Sequence, residues 1–160
     1  MKIGIVIYSN TGNTLSVAKR VEQTLIKAGH EAEFFNIELS GKVENNAAIN
    51  KSQFKSFPTA SGLDAYIFAS CTQAFSLNRV MSFYLNNLES VDAPVITLST
   101  QHFMRSWMGG NRTQKQMQEI LSRKGAKILG GVHVNWKKEQ GRDKRIEKAV
   151  DEVVSLLDNI

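Results

Sequence analysis

Six consecutive residues near the start of the chain, Ser9-Asn10-Thr11-Gly12-Asn13-Thr14, combine hydroxyls, amides and a glycine without a single charge. They follow a short apolar run and precede a stretch with helical periodicity, so they sit where a strand passes into a helix starting near Asn13. A helix N-terminus offers unpaired N–H donors and about half a positive charge, which suits a phosphate group. Gly12 lets the backbone come close, while Ser9, Thr11 and Thr14 supply hydroxyl donors. The same residue types cap helices, but one or two would serve for that. The loop holds no Lys, so it is not the G-x-x-x-x-G-K-[ST] loop of nucleoside triphosphate sites, and the G-x-G-x-x-G dinucleotide fingerprint is absent as well. Cys71 and Arg79 are eight residues apart, which does not match a phosphatase loop built on a cysteine nucleophile.

Two later segments have the composition of a ligand-contacting surface. The first is the loop Ser70-Cys71-Thr72-Gln73-Ala74-Phe75-Ser76, in which Phe75 is either a platform for a flat ring or a core aromatic at the start of a helix. Cys71 reads as a small buried hydrophobe, because no basic neighbour in sequence would lower its pKa. The second is the loop Ser99–Asn111, which holds Thr100, Gln101, His102, Phe103, Arg105, Trp107, Gly109 and Gly110. It is longer than a usual strand-to-helix connection, and long ordered loops tend to carry function. Gly109 and Gly110 allow tight backbone approach, Trp107 either covers a ligand or plugs the loop, and Asn111 is placed to cap the following helix. His30 and His133 fall on a turn and a strand, and no His, Cys, Asp or Glu spacing suggests a metal site.

These segments need elements to position them. Ile3–Tyr8, Glu31–Asn36, Ala65–Ala69, Val95–Leu98 and Lys127–Val134 read as five short strands, several of them continuously apolar and so buried on both faces. Helical spacing appears in Val17, Ala18, Val21 and Leu25, in Val80, Phe83, Tyr84 and Leu88, in Met117, Ile120 and Leu121, and in Ile146, Val150, Val153 and Leu157. Gly29 and Gly125 stand where helix C-terminal caps belong. Residues 37–62 are polar and weakly patterned, with room for a short helix at most. Alternating strands and helices predict an α/β fold: one three-layer, doubly wound, five-stranded parallel sheet spanning residues 1–160 as a single domain. In such a sheet, ligands bind beyond the carboxyl ends of the strands where the strand order reverses, and all three loops leave those ends.

The remaining features narrow the class. At 160 residues the chain can bury a core without staples, and its apolar fraction of 42% is that of an ordinary globular protein. The N-terminal apolar run is too short for a signal peptide or a membrane span, and the single cysteine forms no internal disulfide, so a cytoplasmic location without membrane attachment is expected. The net charge of +5 is carried by residues 101–160, since residues 1–100 hold 8 Lys/Arg and 8 Asp/Glu. Lys137, Lys138, Arg142, Lys144, Arg145 and Lys148 are interrupted by Glu139, Asp143 and Glu147, which reads as a solvated helix face. No nucleic-acid-binding signature accompanies it.

The first loop and the helix after it, Y-S-N-T-G-N-T followed by V-A-K-R-V, resemble the phosphate loop of the flavodoxin family. The pattern [ST]-x-T-G-x-T is met by Ser9, Thr11, Gly12 and Thr14. The element order extends the resemblance over most of the chain, apart from 37–62, and the short last strand makes it similar to the short-chain flavodoxins, with strand order 2-1-3-4-5. The resemblance implies FMN as cofactor. Its phosphate would lie on residues 9–14, and its ring between Cys71, Thr72, Gln73, Ala74 and Phe75 on one side and Thr100, Gln101, Phe103, Trp107, Gly109 and Gly110 on the other. Cys71 stands where the family commonly has proline. His102 and Arg105 would lie near the flavin N1. The implied function is electron transfer between redox proteins by a monomer or weak dimer. The alternative is a flavodoxin-like NAD(P)H-dependent quinone or flavin reductase, which the long aromatic loop with its Gly-Gly pair favours. A fold that binds no flavin is the third reading. Family members are strongly acidic, whereas this chain has a pI near 9.4, so its redox partners are expected to present acidic surfaces.

Overall fold

A computed structural model describes residues 1–160 apart from 45, 104 and 106. Asn45 of the 37–62 stretch and Met104 and Ser106 of the second aromatic loop therefore lie outside the described residues. In chain order the elements are β1 (Lys2–Ile7), α1 (Asn13–Lys27), β2 (Glu31–Asn36), β3 (Glu38–Leu39), a 3-10 turn (Lys51–Gln53), β4 (Phe54–Ser56), β5 (Ala65–Gln73), β6 (Ser76–Leu77), α2 (Arg79–Asn86), β7 (Pro94–Gln101), α3 (Gly110–Arg123), β8 (Lys127–Asn135) and α4 (Arg142–Leu157).

The main sheet runs β2-β1-β5-β7-β8, all parallel. Counting only these long strands, this is the expected 2-1-3-4-5 order. Side chains alternate between its faces, as the two-residue period of a strand requires. Ile3, Ile5, Ile7, Ile67, Ala69, Ile96 and Leu98 pack with the apolar faces of α1 and α4. Val6, Tyr66, Phe68 and Val95 pack with Val80, Met81 and Tyr84 of α2 and with Met117, Ile120 and Leu121 of α3. Fully burying each such large side chain is worth about 1.5–3 kcal/mol, and these two clusters hold the three layers together. Gly4 has to be a glycine, because a Cβ there would lie 2.7 Å from the ring of Tyr66.

Several sequence-based expectations are corrected. In 37–62 the structure has, besides the 3-10 turn, two short strands: β3 and β4 form a separate antiparallel ladder, where only a short helix was expected. The expected loop 70–76 is mostly strand, because β5 continues to Gln73 and turns back through Ala74-Phe75 into β6. Thr72 and Gln73 pair with Leu77 and Ser76. The expected loop 99–111 shrinks to 102–109, because β7 keeps its pairing with β8 as far as Gln101 and α3 begins at Gly110. Asn111 is inside that helix, and Gly109 occupies the cap position. Gly29 and Gly125 do follow their helices with positive φ, at 85° and 96°.

Candidate functional site

The chain winds from β1 to β2 in one direction and from β5 through β7 to β8 in the other, so the strand order reverses between β1 and β5. The segments expected to carry chemistry gather at this carboxyl edge. Residues 9–12 connect β1 to α1, the β5–β6 hairpin stands beside them, and 102–109 follows β7.

The first loop does not cap its helix. Gly12 holds the N-cap position of α1 in the left-handed conformation, φ 84°, and as a glycine it offers no side-chain cap to the first turn. The hydroxyl of Ser9 instead accepts from the Gly12 N–H at 3.2 Å, and the Ser16 N–H bonds to the Gly12 carbonyl as the first helical rung. Asn10, Thr11 and Gly12 are exposed immediately before the first turn of α1, whose leading N–H groups have no partner within the helix. Thr14 is the exception. At 1% exposure, its hydroxyl lies 2.8 Å from that of Thr100 at the end of β7, which ties the loop to the strand that opens the second aromatic segment.

Cys71 stands opposite Thr100 in the register of β5 and β7. Burial pushes its thiol pKa up, and the Asn10 backbone and the Asn78 amide, 3.6 Å from the sulfur, oppose that shift only in part. The thiol is therefore protonated at neutral pH, as its reading as a small hydrophobe implied. The hydroxyl of Thr72 pairs with that of Thr113 at 2.9 Å, and the Gln73 carbonyl oxygen accepts from Asn78 at 3.0 Å. Both side chains thus pin the hairpin to its neighbouring helices.

At the hairpin tip, Ala74 and Phe75 both take positive φ, 47° and 61°, an uncommon state for residues other than glycine. The turn holds Phe75 out of the core at 49% exposure, stacked on Phe103 with ring centroids 4.9 Å apart and planes 18° from parallel. Phe75 is therefore not a core aromatic. Trp107, 69% exposed, is not a plug for its loop. The Gly-Gly pair explains how the two segments meet. A Cβ on Gly109 would stand 2.6 Å from the Cα of Phe75, and one on Gly110 would stand 2.6 Å from the ring of His133. The close approach read from these glycines is thus made to the hairpin and to β8.

A buried polar network under the aromatic segment carried no sequence expectation. Ser99 and His133 approach to 2.7 Å (Oγ to Nδ1), the Gln114 amide donates to Ser99 at 2.8 Å and to the Val132 carbonyl at 2.7 Å, and Gln101 donates to the carbonyls of Phe103 and Arg105 at 3.2 and 2.7 Å. Burial lowers the pKa of His133, with the Asn135 side chain partly opposing, so its imidazole is neutral at pH 7. Its signal in the sequence is Thr97, Ser99 and Gln101 at two-residue spacing, a polar stripe along one face of a central strand.

A cleft of about 470 Å³ adjoins the first loop, lined among others by Tyr8, Asn10, Lys42, Gln73, Asn78 and Arg79. Arg79 is engaged there, with its guanidinium bonded to the carbonyls of Glu44 and Ala47. Among the described residues, no group of His, Cys, Asp and Glu is arranged to hold a metal ion, and no helix is long and apolar enough to cross a membrane.

The architecture matches solved structures along its whole length. A Streptococcus pneumoniae TIGR4 flavodoxin superimposes with a TM-score of 0.66 at 18% identity, over 97% of this chain and 99% of its own. Flavodoxin 1 from Bacillus cereus reaches a TM-score of 0.69 at 15% identity, over 100% and 99%. The fold is that of the flavodoxins. A flavoprotein from Lactobacillus acidophilus, solved in complex with FMN, shares this flavodoxin fold with a TM-score of 0.60 at 14% identity, over 92% and 97%. No known family model matches the sequence, and no curated protein matches it. The flavodoxin fold was thus legible from element order and one loop, although overall identity to these structures is low.

Proposed function

We propose that the chain binds FMN and acts as an electron-transfer flavodoxin. The observation that carries this reading is the uncapped N-terminus of α1. Six residues of capping type surround it, yet the N-cap position itself falls on Gly12, which has no side chain to cap with. They are neutral donors, which fits a single terminal phosphate bound by backbone N–H groups and hydroxyls. In this reading Ser9, Asn10, Thr11, Gly12 and Asn13 surround the phosphate. Thr14, locked to Thr100, fixes the distance from phosphate to ring. Ala74 and Phe75 of the hairpin, with Phe103 and Trp107 opposite, line the ring. Cys71, Thr72, Gln73, Thr100, Gln101, Gly109 and Gly110 shape the floor and walls of the slot.

When bound, FMN supplies the electron transfer, and the protein supplies position and electrostatics. A flat ring between Phe75 and Phe103 needs two stacking contacts of about 3.5 Å each, or about 7 Å between the phenyl planes. The pair is closer than that, so binding parts the rings by a few ångström. Phe75 at the tip of the bent hairpin and Phe103 would move apart to admit the flat ring.

Protein partners follow from charge. Arg142 lies over the ring of Trp136, 4.6 Å from its centroid, and donates to the Trp136 carbonyl at 2.9 Å, while Arg145 donates to the Asn135 carbonyl at 3.0 Å. These arginines brace the β8–α4 loop and leave Lys137 and Lys138 exposed on it. The Trp136 N–H bonds to the Gln101 carbonyl at 2.8 Å, so this basic loop borders the proposed ring site. The complementary partner is a redox protein with an acidic face, met by a monomer or weak dimer in the cytoplasm.

The test is titration of the purified apoprotein with FMN, followed by reduction with and without a partner. Quenched flavin fluorescence with turnover only in the presence of a redox protein supports the carrier. Failure to bind FMN refutes the reading. Rapid turnover of NADPH with a quinone and no partner protein refutes the carrier in favour of the reductase.

A further inference from the structure

The cleft of about 470 Å³ beside the first loop is built from four segments whose side chains offer chemistry of one kind. Tyr8 follows β1, Asn10 sits in the first loop, Lys42 follows β3 and Gln73 ends β5. No Asp or Glu lines the cleft. Among the described residues, the Tyr8 hydroxyl, the Asn10 amide and the Lys42 ammonium take part in no side-chain hydrogen bond or ion pair. Burial raises the Tyr8 pKa, with the nearby Cys71 adding to the shift, so that hydroxyl keeps its proton at neutral pH.

Gln73 is fixed as a donor by the helix behind it. The carbonyl oxygen of Asn78 accepts from the Val80 and Met81 N–H groups at 2.9 and 3.4 Å, which settles the orientation of that amide. Its nitrogen is thereby turned to Gln73 and donates to Oε1 at 3.0 Å. The α2 backbone thus determines, through Asn78, that Gln73 has its NH₂ group left for the cleft it lines. Asn78 is 1% exposed, so this relay is sheltered from water. Arg79 ties the start of α2 to the segment after Val43, since its guanidinium bonds to the carbonyls of Glu44 and Ala47.

Donors without a carboxylate among them suit an anion. A phosphoryl group brings three acceptor oxygens and satisfies more of four donors than a carboxylate does. Leu39, Val43 and Val80 add apolar wall, and the volume is that of a pocket for an organic molecule rather than a lone ion. We propose that this cleft is a second binding site, which takes a phosphate monoester on a flat or apolar body of nucleotide size. It stands apart from the FMN reading: of the residues assigned to FMN, only Asn10 and Gln73 line it.

The test titrates 5′-AMP into FMN-free and FMN-saturated protein, with adenosine as the neutral control, and reads amide chemical shifts. AMP should shift Gly41–Val43 and the Gln73 side-chain amide in both forms, and adenosine should not. Gln73→Glu keeps an acceptor for Asn78 but turns a carboxylate oxygen into the cleft, and should weaken AMP about tenfold or more. Lys42→Met removes an exposed charge and should weaken AMP about two- to fivefold with FMN affinity unchanged. Lys148→Met, which removes the same charge from α4, should change neither. The proposal is overturned if AMP shifts only Gly12–Thr14, if adenosine matches AMP, if FMN displaces AMP, if Gln73→Glu binds AMP as wild type does, or if Lys42→Met behaves like Lys148→Met. Should wild-type protein fail to take up FMN, the functional reading falls, and the FMN-free titration still decides the cleft.

Discussion

Replacing Gly109 by Ala should destabilise the protein far more than replacing Gly62 by Ala, and the difference measures how tightly the two aromatic segments are joined. Both glycines hold positive φ, 114° at Gly109 and 86° at Gly62. An L-residue in that region costs about 1–2 kcal/mol, and the entropy lost from the unfolded chain is common to both variants. At Gly62 the new Cβ meets nothing within 4 Å, so backbone strain is the whole effect. At Gly109 the Cβ would fall 2.6, 2.8 and 3.0 Å from the Cα, carbonyl carbon and carbonyl oxygen of Phe75. These are backbone atoms of a tight turn, and they have to retreat by about 1 Å to restore normal contact. Overpacking of that kind adds about 1–3 kcal/mol. In a chain of this length about 2–4 °C accompanies each kcal/mol, so Gly109→Ala should melt roughly 2–12 °C below Gly62→Ala. Thermal unfolding followed at 222 nm in one buffer gives both values. Equal melting temperatures would refute the close packing of Gly109 on the hairpin, and with it the account of why this segment carries paired glycines.

Two further predictions follow from the buried polar contacts. Thr14→Val leaves the Thr100 hydroxyl without its partner and should cost about 1–3 kcal/mol, whereas Thr14→Val with Thr100→Val should cost less than the two single changes together. Urea unfolding of the four species gives the coupling, and strict additivity would show that the bond does not form. His133, whose pKa is lowered by burial, binds its proton more weakly in the folded than in the unfolded chain. Its contribution to stability is complete above the ordinary value of 6.5, declines as pH falls below it, and levels off beneath the folded-state value. Urea midpoints should therefore drop between pH 7 and pH 5 more steeply in wild type than in His133→Gln, and parallel curves would contradict the assignment.

The sheet and its helices were legible because their signals are local and redundant. Ile3, Ile5 and Ile7 alternate with Gly4 and Val6 in a run apolar on both faces, and Val17, Val21 and Leu25 repeat at helical spacing. The first loop was legible because it needs a residue order as well as a composition. What could not be read were features that depend on partners distant in sequence. Ala74-Phe75 carries none of the Asn-Gly chemistry that marks a two-residue hairpin, so its positive φ values arise from tertiary contacts such as Gly109, thirty-odd residues on. β7 seemed to end at Leu98 because Ser99, Thr100 and Gln101 are polar. Yet each is buried, with a partner from another element: Ser99 meets His133 and Gln114, Thr100 meets Thr14, and Gln101 meets Asn135.

That difference bears on what each segment does. A residue that binds a ligand has to leave a donor or acceptor free, and a residue that builds the site has to use its own. By that criterion the two candidate halves separate. Asn10, Thr11 and Gly12 are exposed at the N-terminus of α1. Thr72, Gln73, Thr100 and Gln101 direct their side chains to Thr113, Asn78, Thr14 and the loop carbonyls. In the FMN reading, the second half would contact the ring through Phe75 and Phe103, with the polar side chains below holding these segments in place. In the FMN reading, a change at Asn10 or Thr11 should weaken phosphate binding with little effect on folding, while a change at Thr100 or Gln101 should lower stability and ring affinity together.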